Sequence, residues 1–383
     1  MLSMVNSLVP FVLAAAIIAV SRLDAQEPPT WKAVPDLRIG QIDGPLALTR
    51  IDALVVTEGG VVIGQTLDKQ ILVFGEDGTL HTRIGSHGQG PGEFLRVDAV
   101  AMIEGELVVV DRGNKRLSYL TPEGRLTRTS ELHYPSSKAP PPFAWLGPLV
   151  PLREGRMLFT GSWGMMFADR TAREMEVIVG DATTGEMKDS LPSITWGDRN
   201  LVLYSEEFHM SGWRPLFRGT RFSTSSNGRY FVTADGDERR VHVSRYDVTS
   251  RERVGWDVDS PEVRVPEALA DSIETSLVDN FIEGRAPFPR KTIQEAVAIP
   301  RKLPGVDQIQ AMDDGSIWFS EPKFGAGERV WHVLGPGPSE HATVLVPEGI
   351  QIRGRRGEVL WGTAYDGWDV AYLVRLQLER SGR

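Results

Sequence analysis

Apolar and polar positions along this chain alternate in short runs separated by glycine-rich turns, and the whole pattern repeats. Residues 48–83 align with residues 94–129 without a gap. Arg50 falls on Arg96, Asp52-Ala53 on Asp98-Ala99, Glu58-Gly59 on Glu104-Gly105, Lys69 on Lys115, Gly78 on Gly124 and Leu80 on Leu126. Apolar positions match as well: Val62 with Val108, Ile63 with Val109, Ile71 with Leu117, Phe74 with Leu120. Each copy reads as strand, Gly turn, strand, polar turn, strand, acidic-Gly turn, strand. The runs at 61–63 and 107–110 are β-branched or leucine and suit buried strands. The turns at 76–78 and 122–124 place Gly where a hairpin needs positive φ.

A four-stranded antiparallel unit of ~40–50 residues is the size of a propeller blade, and one such sheet cannot bury both of its faces alone. Weaker copies follow at 155–159 with 175–185, 227–232 with 241–247, 314–319 with 330–335, and 357–362 with 370–378. With the first two these make six. The pattern predicts an all-β, six-bladed β-propeller of four-stranded antiparallel blades. Joining both chain ends in one sheet removes free edges, so residues 31–39 are expected beside 370–378. One stretch breaks the strand pattern. Residues 266–283 carry Leu269, Ile273, Leu277 and Phe281 at a spacing of four, opened by Pro266 and closed by Gly284. That predicts one inserted helix, with the four apolar residues on the propeller body and Asp271, Glu274 and Asp279 in water.

The start of the chain reads as an address. The apolar run at 8–20 is short for a bilayer span, and polar residues 21–26 follow it. This predicts a secretory signal peptide, residues 1–25, with Ala25 last before cleavage, and a mature propeller from 26 to 383 that is periplasmic or secreted and has no membrane contact.

The segments 90–94 (Gly-Pro-Gly-Glu-Phe), 110–117 (Val-Asp-Arg-Gly-Asn-Lys-Arg-Leu), 70–78 and 361–376 resemble NHL-type six-bladed propellers, in particular a group of exported bacterial proteins. The resemblance is good over the first two blades and weak over 134–220. It implies an interaction module. It also brings in relatives by fold that are enzymes, gluconolactonase-like hydrolases among them, and fold alone does not choose between these.

Composition narrows the chemistry. Of the 383 residues, 41% are hydrophobic and 24% charged, as in ordinary soluble domains. A net charge of −9 argues against a nucleic-acid partner. With no cysteine, disulfides, thiolate zinc sites and Cys nucleophiles are excluded. The histidines at 81, 87, 133, 209, 242, 332 and 341 form no His-Glu-x-x-His motif, and no Gly-x-Ser-x-Gly elbow occurs. The glycine-rich run 85–92 lacks the Gly-Lys-Ser/Thr of a phosphate loop and reads as a crossover between blades, with Glu93 as turn anchor and Phe94 as core plug. Asp111, Asn114 and Arg116 read as a turn-shaping cluster, with Arg116 pairing Asp111. Residues 235–238 read as an acidic hairpin turn.

Two long stretches stand out, 134–147 and 196–218, rich in Trp, Tyr, Phe, Pro and Arg. Loops of this length are functional or disordered, and their aromatic content opposes disorder. They form either a satellite core or a recognition surface whose anchors are Trp145, Trp213 and Arg214, with Phe143 and Trp196. The leading expectation is a monomeric binding or scaffold module that takes a protein, peptide or glycan at one mouth of the propeller and needs no cofactor. The alternative is a channel-centred metal-dependent hydrolase of gluconolactonase-like type, with a divalent cation held in the central channel by Glu, Asn and Asp from different blades.

Overall fold

In the computed structural model every predicted repeat is an antiparallel four-stranded sheet. The structure describes residues 19–22, 29–41, 46–135, 143–144, 149–163, 174–195, 200–204, 209–213, 216–284, 288–336 and 340–380. Blade 1 spans 53–84 and blade 2 spans 99–131. Blade 3 spans 149–195, blade 4 spans 221–259 and blade 5 spans 308–347. Blade 6 takes its three inner strands from 350–380 and its outer strand, Thr30–Ile39, from the other end of the chain.

The core shows why six sheets are needed. Among the described residues a separate apolar cluster lies between each neighbouring pair of blades. Val55, Val62 and Ile71 of blade 1 meet Val100, Leu107 and Val109 of blade 2. Val110 and Leu117 of blade 2 meet Met157 and Phe159 of blade 3, whose Leu158, Val177 and Val179 meet Phe231 and Tyr246 of blade 4. Val232, Val243 and Trp256 of blade 4 meet Ile317 and Phe319 of blade 5, whose Trp318 and Trp331 meet Ile352 and Leu360 of blade 6. Trp361 and Leu373 of blade 6 close the circle on Val61, Ile63 and Phe74 of blade 1. Each sheet thus buries both faces, and the strands read as near-continuous apolar runs.

Closure follows the sequence expectation. Thr30–Ile39 pairs antiparallel with Ala371–Arg380, from Trp31 opposite Arg380 to Ile39 opposite Leu373. Its first residues, Thr30 to Lys32, also pair in parallel with Thr343 to Leu345 of blade 5, so blades 5 and 6 are joined at their outer edges. Residues Ala19–Arg22 add a parallel strand to blade 4 against Val254 to Asp257. The rest of the predicted signal segment lies outside the described residues.

The alignment of blades 1 and 2 has a backbone cause. Lys69 and Lys115 occupy the same turn with φ of 53° and 49°, and Gly78 and Gly124 the same hairpin with φ of 82° and 93°. Asp52 and Asp98 stand at the head of the inner strand, each paired with the arginine two residues before it. Each also accepts the backbone N–H that opens the second turn of its blade, from Thr66 at 3.0 Å and from Arg112 at 2.9 Å. Blade 5 keeps this aspartate as Asp307, which pairs with Arg329.

The helical insertion departs from expectation in three respects. The first helix, α1, covers Glu267–Glu283 between Pro266 and Gly284 as predicted. Its buried face, however, is Ala270, Val278 and Phe281, with Ile273 and Leu277 partly covered, while Leu269 is 38% exposed. The covering face runs along i, i+3, i+7 and i+8 from Ala270, one step round from Leu269. Second, the acidic side is not simply solvated. Glu274 accepts the Ile299 N–H at 2.8 Å and pairs with Arg301, as does Asp271. Third, a second helix, α2, follows at Arg290–Val297. Two turns carrying only Ile293 and Val297 on the buried face are too short to register as a helical period.

Candidate binding mouth

Every blade is an up-and-down meander, so all connections from an outer strand to the next inner strand emerge at one mouth. The first hairpin turn of every blade lies at the other. That second mouth is crossed by a turn of blade 4. The blade-4 turn at 225–228 is wedged against turns of three other blades. Met102 of blade 2 donates its N–H to the Ser226 carbonyl at 2.7 Å, although blades 2 and 4 are not neighbours. Arg153 of blade 3 donates to the Gly228 carbonyl at 3.2 Å. Asp313 of blade 5 accepts Ser226 Oγ at 2.7 Å and the Asn227 N–H at 2.9 Å. Burial pushes the Asp313 carboxyl above its ordinary range against the pull of these two donors. Gly228 has φ of 64°, and a Cβ there would meet Ile103 Cδ1 at 2.4 Å and Leu152 Cα at 2.9 Å, so only Gly fits.

The connection mouth carries the long segments 132–148, 196–220 and 260–307. The second contains a hairpin of Asn200–Tyr204 and His209–Trp213, and α2 lies against its first strand. Leu216 from this connection and Phe324 from blade 5 pack with Val265, Ala270, Ile299 and Leu303 of the helical insertion. Arg218 pairs with Glu262, which also meets Lys302 at 3.5 Å. A satellite core built from two connections therefore covers part of this mouth.

Of the anchors expected from sequence, Trp145, Trp196 and Arg214 lie outside the described residues. Phe143 stands on the short strand Phe143–Ala144, opposite Trp163, and Trp213 ends the hairpin opposite Asn200. Both long stretches begin and end at the connection mouth. The Asp111 cluster is internal structure. The fully buried Asp111 carboxylate accepts the N–H of Leu95, Arg96 and Asn114 at 3.0–3.1 Å and Asn114 Nδ2 at 2.7 Å. Arg116 does not pair with Asp111 as expected. Its guanidinium instead binds the carbonyls of Gln89, Gly90 and Glu93, which fixes the 85–92 crossover. Phe94 is fully buried, and Glu93 accepts the Gly90 N–H at 2.8 Å, as the crossover reading requires. Among the described residues no group of three His, Asp or Glu side chains is arranged to hold a metal ion.

Sequence reasoning missed a group on blades 6 and 1 at the same mouth. The inner strand Ile350–Arg356 carries a bulge between Ile352 and Gly354, and the extra residue is Arg353. Gly354 lies so close to Val56 of blade 1 that a Cβ would sit 2.6 Å from Val56 Cγ2. Arg353 lies on the connection-mouth side of this closure. Its nearest polar partner is Thr363 Oγ1 at 3.5 Å, and no carboxylate lies within 4.0 Å of it among the described residues. Desolvation lowers the guanidinium pKa, with Tyr365 and Asp52 acting in the opposite sense. In the second turn of blade 6, Trp368 is 84% exposed, and Leu67 in the same turn of blade 1 is 60% exposed. The Trp368 turn is held rigidly. Asp366 accepts the N–H of Trp368 at 2.9 Å and of Val370 at 3.0 Å, and the Tyr372 hydroxyl at 2.9 Å. The signals were the glycine between Arg353 and Arg355 and the Asp-Gly-Trp-Asp turn. Neither shows in sequence whether its side chain ends up paired or exposed.

A histidine pair on blade 5 gives the fold a pH response. His332 stacks on Phe319 and lies 2.8 Å from Glu321 Oε1 and 3.1 Å from His341 Nε2. Burial, with His332 beside it, holds the His341 imidazole down to about 4. An unfolded histidine titrates near ~6.5, so the folded chain binds fewer protons between these values and loses stability as pH falls through that window. Between pH 7 and 5 the expected loss is roughly 1 kcal/mol after solvent screening. Urea unfolding of His341→Gln at both pH values checks this: the variant should lose less on acidification, and an unchanged loss would place the proton uptake elsewhere.

Comparison with known proteins agrees with this architecture. Residues 46–141, blades 1 and 2 with their flanks, match the DUF5128 family, described as a 6-bladed beta-propeller. A member of the DUF4221 family from Bacteroides vulgatus superposes with a TM-score of 0.50 at 11% identity, covering 93% of this chain and 100% of its own. A protein from Bacteroides fragilis described as exported superposes with a TM-score of 0.46 at 10% identity, covering 95% of this chain and 100% of its own. No curated protein sequence matches the chain. The chain is a six-bladed β-propeller with two helices inserted between blades 4 and 5.

Proposed function

We propose that this chain is an exported, monomeric binding propeller of the NHL-like kind, working in the periplasm or outside the cell, and that its ligand enters by the connection mouth. The observation that supports this most directly is the inequality of the two mouths. One is crossed by the blade-4 turn bonded to Met102 and Asp313. The other bears the long connections, and strand side chains are committed to blade stacking, so variable chemistry comes from those connections. Trp145, Trp213 and Arg214, with Phe143 and Trp196, are the proposed anchors for a protein, peptide or glycan partner. Screening the mature chain on glycan and peptide arrays, then repeating with Trp145→Ala and Arg214→Ala, tests this. Each variant should weaken the selected ligand by ~2 kcal/mol, about thirtyfold, with the melting temperature nearly unchanged. Unfolding of both variants would make these residues core. Divalent-ion-dependent hydrolysis of a lactone or ester would overturn the binding reading in favour of an enzyme.

A further inference from the structure

We infer that the rim of blades 6 and 1 is a subsite for a carboxylate-bearing saccharide, with Arg353 as the anion contact and Trp368 as the stacking platform; this rests on the connection mouth being the ligand entrance. The β-bulge is the first element of the argument. An extra residue in an inner strand re-aims a side chain, and here that side chain is a guanidinium. Its Nε meets Thr363, which pairs with Gln351 on the side of the connection mouth, so the side chain runs toward that mouth. Other arginines of this protein are better partnered: Arg245 donates to the carbonyls of Gly315 and Pro336, and Arg116 to those of Gln89, Gly90 and Glu93. Arg329 lies between Asp307 and Glu348, and Arg229 pairs with Asp247 at 2.9 Å. Among the described residues Arg353 has a single weak hydroxyl contact. The nearby Asp52 is already engaged by Arg50 at 2.7 Å and by the Thr66 N–H. A partly desolvated cation without a counter-charge costs stability, and it is satisfied by an oxyanion brought from outside. The planar fork of five donors favours a carboxylate bound through two oxygens.

Trp368 supplies the second element. A tryptophan 84% exposed in a monomer is unused by the fold, yet its turn is fixed by three hydrogen bonds to Asp366. An indole carried on a fixed turn has only its own two side-chain torsions to order on binding, and it offers a flat apolar face with a polar edge. A sugar ring presents the same combination, apolar C–H faces and hydroxyl edges. Leu67 extends the apolar rim onto blade 1. Cation and platform both belong to blade 6, on its inner strand and on the turn between its second and third strands, which suits a ring that carries its own acid group.

The test uses the chain from residue 26, titrated by calorimetry with digalacturonate, its uncharged methyl ester, and tetra-alanine with a free carboxyl terminus. The wild type should bind digalacturonate about tenfold or more tightly than the ester. Arg353→Met keeps the aliphatic stem and removes the charge. It should abolish the preference for the acid while leaving the melting temperature equal or higher. Trp368→Ala should weaken acid and ester alike without lowering the melting temperature. Equal binding of acid and ester, or binding of neither, overturns the inference. Binding of tetra-alanine through Arg353 in place of digalacturonate transfers the subsite to peptide chain ends and refutes the saccharide. A melting temperature lowered by several degrees in Arg353→Met makes the guanidinium structural. If Trp145→Ala and Arg214→Ala abolish binding of an array-selected ligand and Arg353→Met leaves it untouched, the mouth reading stands and this inference fails. Digalacturonate binding that depends on Arg353 but survives both anchor variants gives the converse.

Discussion

A chain that begins at Gly40 is expected not to fold into a stable propeller, whereas a chain that begins at Gln26 is expected to melt within a few degrees of the full-length protein. Removing Thr30–Ile39 strips the outer strand from blade 6 along its whole pairing with Ala371–Arg380. It takes away the buried Ala33 and Ile39 and the two-pronged pair of Asp36 with Arg375, at 2.9 Å on both oxygens. It also removes the parallel contact that joins blades 5 and 6. A long apolar edge is left open, which invites association. The loss should reach ~5 kcal/mol or more, comparable to the whole margin of a typical domain. Among the described residues the shorter truncation removes Ala19–Arg22, added to blade 4, and leaves that blade its own four strands. Thermal unfolding and size-exclusion chromatography of the two truncations decide the matter. A folded, monomeric chain from Gly40 would show that the ring does not depend on this closure.

Asp111→Ala is expected to cost ~3–5 kcal/mol. The carboxylate is fully buried and receives four donors, the N–H groups of Leu95, Arg96 and Asn114 and the Asn114 amide, so its loss leaves three backbone N–H groups without their acceptor, while the amide keeps the Gly88 carbonyl. Each unsatisfied buried donor is worth ~1–3 kcal/mol, and they relax only in part. Asp111→Asn should cost less, since one acceptor oxygen remains, but it still turns an amide NH₂ toward backbone donors. Urea denaturation measures both. A cost under ~1 kcal/mol for Asp111→Ala would reopen the cluster as a ligand site.

The repeat was legible because turn geometry dictates residue type. Lys69 and Lys115 match since both stand at positive φ in the same turn, and Asp52 and Asp98 match since both cap the following turn. Blades 3 to 6 satisfy the same geometry with other residues. Blade 3 keeps the Glu-Gly turn as Glu154-Gly155, at φ of 61° and 67° beside 52° and 85° for Glu104-Gly105, but elsewhere the resemblance in sequence fades while the sheet persists. The helix was legible in position but not in facing. An eighteen-residue window with apolar residues on more than one side leaves the choice of face to what it packs on, here Ile299, Leu303 and Leu216 from elsewhere in the chain.

Sequence by itself determined the strand order, the six-fold repetition, the joining of both ends in blade 6 and the structural use of the 85–94 crossover. All of these follow from local rules: hairpin turns need particular backbone angles, and a sheet with two apolar faces must be covered on both. Tertiary structure alone decided which mouth the blade-4 turn crosses and which charge is unmatched. Met102 and Ser226 are bonded because two non-neighbouring blades are brought to one axis, and no local pattern in either segment encodes that meeting. Arg229 and Arg353 look alike along the chain. One finds Asp247 on the adjacent strand, and the other rises from a bulge to a rim where the nearest aspartate is already engaged by Arg50. Pairing of a charge is a property of the space around it, and only the folded ring creates that space.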